Sequence, residues 1–188
     1  MKPAVAAGPS FALNQNQQAM KKNVLIFGLV LGILLCINMI YTVNVVCNNP
    51  DFKGNDVIGY AAMVVVFSTT FFGIRNYREK QLNGIISLGN AFKIGALIAL
   101  IGATIYVGVW LFYYHLFVPD FLDKYIAHVL KNVPAADLPA KTKEMQGFKE
   151  MYKNPLFMIL ITYSEVLPVG LVVAFVSSLI LKRKSAKI

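Results

Sequence analysis

Apolar residues in this chain gather into four long blocks divided by charged segments. The blocks span residues 24–46, 57–74, 94–117 and 155–181. An α-helix rises about 1.5 Å per residue, so roughly 20 apolar residues cross a hydrocarbon core about 30 Å thick. Each block meets or approaches that length. Lipid offers no partner to a backbone N–H or C=O, so such blocks must satisfy themselves as helices. The pattern predicts an all-α, polytopic membrane protein with four transmembrane helices.

Between the third and fourth blocks the period changes. Residues 118–154 carry two apolar stripes at helical spacing. Phe121, Leu122, Tyr125, Ile126, Val129 and Leu130 form the first, opened at Pro119 and closed at Pro134. Leu138, Met145, Phe148 and Tyr152 form the second, with Asp137 as N-cap and Pro139 in the first turn. This amphipathic, extracytoplasmic segment is expected to cap the bundle or lie on the membrane surface. Residues 82–93, LNGIISLGNAFK, are too polar to meet lipid at depth. They read as a juxtamembrane segment bent near Gly89, with Ile85, Ile86 and Phe92 toward the headgroups. Residues 75–80 are expected to turn. The short segment Asn48–Asp56 should make spans one and two a hairpin.

Residues 1–19 are small, polar and aperiodic, which predicts a disordered tail. Met20-Lys21-Lys22-Asn23 then stands directly before the first span. That arrangement looks like a bacterial start, so 1–19 is expected to be a start-site extension and 20–188 the four-helix domain.

Charge adds orientation. The chain is 57% hydrophobic with a net charge of +9, and the cations are unevenly placed. With the N-terminus inside, the inner segments hold 11 Lys and Arg against the single acid Glu79, while seven cations and seven acids balance outside. The Lys/Arg excess belongs in short cytoplasmic loops. A bacterial inner-membrane location with both termini cytoplasmic is expected. The cations flank spans rather than forming one stripe, so nucleic acid is not an expected partner. The bilayer is.

Candidate chemistry is sparse. Glu165 is the one acid inside a span, about ten residues and hence about 15 Å from its outer end. A charge at that depth should face the bundle, find a partner or take up a proton. Asn38 and Thr104 lie at compatible depth, as do Ser68, Thr69, Thr162 and Ser164. The arrangement fits either a proton relay or a structural hydrogen bond. Pro168, three residues on, should bend the helix there. His115, Asp120, Asp123 and His128 gather after span three, yet in no metal-binding spacing, and solvated surface charge is the expected reading. The aromatics Tyr106, Trp110, Phe112, Tyr113, Tyr114 and Phe117 read as an interfacial belt. Gly28, Gly32, Gly95 and Gly170 offer small-residue faces to another helix, within the chain, from a second copy or from another membrane protein. Cys36 and Cys47, on one helix, are too far apart to bridge. No paired carboxylate, nucleophile motif or phosphate loop is present, so neither an enzyme nor a cofactor is expected.

The order of several motifs is familiar. They include Phe72-Gly73-Ile74-Arg75-Asn76-Tyr77-Arg78, then Pro119-Asp120-Phe121, then Phe148-Lys149-Glu150-Met151-Tyr152-Lys153-Asn154-Pro155, and Glu165-Val166-Leu167-Pro168-Val169-Gly170-Leu171. Together they resemble the domain of unknown function 4199 family of small bacterial membrane proteins. The resemblance covers nearly everything after Met20, with Leu88 standing where Phe is usual. It implies four spans and adds no activity. The expected function is that of a non-enzymatic envelope or scaffold protein that binds lipid or another membrane protein. The alternative is transport of a small solute or proton centred on Glu165.

Overall fold

The computed structural model describes residues 9–48 and 56–183. The chain forms α1 (Pro9–Asn48), α2 (Asp56–Phe67), α3 (Thr69–Gln81), α4 (Leu88–Phe117), α5 (Phe121–Lys131), α6 (Leu138–Tyr152) and α7 (Pro155–Leu181). Four stretches are long and apolar enough to cross a membrane: Asn14–Asn48, Val57–Gln81, Leu88–Phe117 and Pro155–Leu181. The protein is an all-α, four-span membrane protein. Two ends can be distinguished. The capped end carries α5 and α6; the basic end carries Lys21, Lys22, Arg75, Arg78, Lys182 and Arg183.

Helix α4 is the centre of the bundle. It packs most extensively on α1 and α7, and α3 closes the other side against both. Span one does touch span two, as the short loop predicts, but its larger partner is α4. Small residues make this possible. A Cβ added at Gly28 would lie 2.7 Å from Ile101, and one at Gly32 2.7 Å from Ile105. Leu31 fills the reciprocal notch at Gly102. Gly95 receives Ala174 and Ile74, and Gly170 receives the ring of Phe67. All four glycines singled out in the sequence are therefore spent on contacts within the chain. A partner helix cannot occupy these notches while the bundle is packed.

Several boundaries differ from expectation. Residues 9–19 are helical, not an irregular tail; residues 1–8 lie outside the described part. Pro9 suits a first helical turn, and the Ala, Leu and Gln that follow are good helix formers that extend a helix already nucleated by the span. Residues 75–80 are helical as well. The turn comes later, at Asn83 (φ 49°) and Gly84 (φ 81°), a pair of residue types that tolerates the left-handed region. The bend expected near Gly89 is absent. Ser87 caps α4, accepting from the Asn90 N–H at 3.3 Å, and the helix runs unbroken for 30 residues. At about 45 Å it exceeds the hydrocarbon core, but its first turns are not left to lipid, because Ala91 and Ile94 are buried in the bundle. Ile86, expected at the headgroups, is buried too. It pairs through its backbone with Arg183, N–H to O at 3.2 and 2.9 Å. Span two is interrupted at Ser68, whose hydroxyl donates to the Val64 carbonyl at 2.9 Å. Helix α7 continues through Pro168.

The basic end is locked by polar contacts that the apolar pattern does not show. Buried Asn23 donates to the Gly73 carbonyl at 3.0 Å and accepts from Asn76 at 2.8 Å. Arg78 is buried, pairs with Glu79 and donates to the Leu181 carbonyl at 2.9 Å. A cation thus satisfies an orphan carbonyl at the end of α7, where the helix dipole also favours it. Arg78→Met should leave Leu181 unsatisfied and Glu79 unpaired. The expected loss is about 1–3 kcal/mol, read as a lower melting temperature in detergent, with Arg78→Lys recovering part of it.

Candidate functional site

The capped half of the bundle encloses a space among its spans. Helices α5 and α6 fold over it instead of lying apart on the membrane surface. Leu122, Met145 and Tyr152 are buried, and α5 contacts α1 while α6 contacts α7. Lys149 of α6 forms an ion pair with Asp123 of α5, which ties the two together. Asp137 stands at the N-cap of α6 without a side-chain cap bond, and Leu138 is exposed rather than part of the stripe.

Beneath this roof is a cavity of about 260 Å³. Each span contributes its deepest residue to the floor: Asn38 from α1, Met63 from α2, Tyr106 from α4 and Glu165 from α7. Met39, Thr42, Gly59, Trp110 and Thr162 form the walls, and Phe121, Tyr125, Phe148 and Tyr152 reach down from the roof. One turn further in, the bundle is solid. Leu35, Phe67, Ala103 and Val166 are each at most 1% exposed, and Phe67 presses on Gly170.

Glu165 enters this space for a geometric reason. It lies seven residues after Met158 and three after Thr162, hence on their face of α7. Both of those residues are buried, whereas Glu165 is accessible because the cavity opens beside it. No hydrogen bond or ion pair joins Glu165 to another described residue. Asn38 shares the cavity, as the depth argument allows. Thr104 does not. It donates to the Leu100 carbonyl and accepts from Tyr163 at 2.8 Å. The hydroxyls of Ser68, Thr162 and Ser164 likewise bond carbonyls of their own helices.

The aromatic cluster divides. Phe112 and Phe117 are exposed to the surroundings, as a belt requires. Trp110 and Tyr106 are not belt residues: Trp110 is 5% exposed and both line the cavity. Trp110 meets Phe121 edge-on with centroids 5.3 Å apart, and Tyr114 meets Tyr152 at 5.8 Å. Burial pushes the Tyr152 phenol above its usual range, opposed by hydrogen bonding with Trp110 and Thr162. Its oxygen therefore stays protonated and neutral near pH 7. Periodicity could not separate ring from ring, because belt and cavity wall occupy the same depth of the same helix.

The remaining candidates stay apart. Among the described residues, no three His, Cys, Asp or Glu side chains converge as metal ligands. Asp120 pairs with Lys124 at 2.8 Å, and that bond holds its carboxyl below the ordinary value. Asp123 is taken by Lys149, and His115 bonds the Leu111 carbonyl. Cys36 and Cys47 are both free thiols.

The family model described as protein of unknown function (DUF4199) matches residues 23–183. The chain belongs to the DUF4199 family. No curated protein matches this DUF4199 chain, and no solved structure does. The match takes in all four spans, the cap and Glu165 of this DUF4199 protein, so the cavity lies wholly within the family region.

Proposed function

We propose that this protein is a non-enzymatic membrane protein that binds a small amphiphile in the cavity beneath α5 and α6. The observation that carries this reading is the cavity itself. It is close to the lower end of the size range of ligand pockets, concave, mostly apolar, and supplied with a few polar groups. The glycine notches of α1, α4 and α7 are filled from within the chain, which favours ligand binding over recruitment of another helix. In the same proposal the capped end faces outward from a bacterial inner membrane and the basic end faces the cytoplasm. The Lys and Arg side chains at the basic end favour that orientation.

Gly59 offers a direct test. It lines the cavity, and a Cβ there would meet nothing within 4 Å. Gly59→Phe should fill the space, reduce saturable binding of a fluorescent alkyl probe at least ten-fold, and leave the melting temperature within a few degrees of the parent. Unaltered binding would contradict the proposal.

A second reading, transport, is favoured by one observation. Span two is interrupted at Ser68, next to Phe67, whose ring contacts Gly170 and seals the floor. Helix breaks are where spans move. A pH-dependent flux into liposomes that Glu165→Gln abolishes, without loss of fold, would make binding the first step of transport.

A further inference from the structure

We propose that the cavity selects an organic ammonium group, with Glu165 as its counter-ion and the surrounding rings as its cage. The inference rests on the binding role given to the cavity above and names the chemistry of the ligand.

Charge is the first argument. Among the residues that line the cavity, Glu165 is the one carboxylic acid, and no Lys, Arg or His is present there to meet it. A carboxylate at this depth, in surroundings of low dielectric, has a strong need for a positive partner. None of the described Lys and Arg residues stands in this wall. The missing cation is therefore to be supplied by the ligand.

The walls decide what kind of cation. Calcium takes roughly six to eight oxygen ligands and magnesium a near-octahedral oxygen shell. Here one carboxylate and the Asn38 amide face the space, while the hydroxyls of Thr42 and Thr162 donate to their own helices. The remaining surface is dominated by rings and apolar side chains. Tyr106 and Trp110 come from α4 and Tyr152 from α6, and Phe121, Tyr125 and Phe148 close over them. Aromatic faces attract weakly hydrated alkylammonium groups, with Trp the strongest. Met39 and Met63 give an adaptable surface for an attached alkyl chain. An anion would meet the carboxyl group with no Lys, Arg or His in the lining to offset it. At about 260 Å³ the cavity holds a headgroup or a small amine rather than a whole phospholipid. A lipid headgroup and a free amine share this chemistry.

Trp110 is the only tryptophan of the chain and stands in the wall, so its emission reports occupancy. The full-length protein in phosphatidylglycerol nanodiscs would be titrated with hexyltrimethylammonium, hexanol and hexanesulfonate, which share one tail. The expected result is a saturable change with the ammonium at least ten-fold tighter than with hexanol, and none with the sulfonate. Glu165→Gln should bring the ammonium to parity with hexanol. Should that variant fail to fold, the comparison of the three probes on the unaltered protein still decides. Equal affinity for ammonium and hexanol overturns the ammonium assignment and leaves the cavity as a binding site. Absence of saturable binding by any probe overturns both. Adding phosphatidylethanolamine to the nanodiscs separates the sources: a weaker apparent affinity for the probe identifies the headgroup as occupant, and an unchanged one identifies a free amine. Either supports the ammonium class.

Discussion

Trp110→Ala should loosen the capped end before the rest of the bundle, at a cost of about 3–5 kcal/mol. The indole is buried at the junction of three elements. It packs on Phe121 of α5 and Tyr114 of its own helix, within the cluster that also contains Met39, Val43, Leu122, Tyr152 and Met158. Few residues join the cap to the spans as directly. Removing it adds its volume to a cavity that is already present, so little of the gap can collapse. Hydrogen exchange should rise first in α5 and α6, and limited proteolysis should cut within residues 132–137, between these helices, at lower protease concentration. Trp110→Phe should restore most of the protection. Uniform destabilisation of all four spans would show that the cap does not depend on this contact.

Filling the two glycine notches of α1 should have a comparable or larger effect. Gly28→Leu with Gly32→Leu sets new side chains against Ile101 and Ile105, which already occupy that space. Overpacking costs about 1–3 kcal/mol at each site. The two sites share one interface, so their effects need not add. The expected outcome is loss of the monodisperse peak in mild detergent. Gly108→Leu, at a position with nothing within 4 Å, should leave that peak in place. A double variant that stayed folded but changed only its oligomeric state would mean that these glycines serve a second copy.

The contrast between these residues shows what a sequence can carry. The four spans and both cap helices follow from periodicity, because burial in lipid or against a bundle selects apolar positions directly. The role of Glu165 as an intramembrane acid was legible for the same reason. Its surroundings were not. Whether Tyr106 and Trp110 face headgroups or a cavity depends on where α5 folds back, and no local pattern fixes that. The Arg78 contact with Leu181 joins residues 103 positions apart, so nothing near Arg78 announces it. Polarity at 82–93 hides the start of α4, because Ile86 and Ala91 are buried against the bundle while their polar neighbours stay exposed.

The account stands or falls on a cavity at the depth of Glu165 that water enters from the capped end. Cysteine accessibility measures this. In a background with Cys36 and Cys47 changed to Ala, Thr42→Cys and Met63→Cys place thiols in the cavity, and Ile33→Cys places one on the outer surface of α1, where it is 57% exposed toward the surroundings. In proteoliposomes, a small membrane-impermeant thiol reagent should label the first two and spare the third. Labelling of none of them, while a membrane-permeant reagent reaches all three, would contradict the cavity.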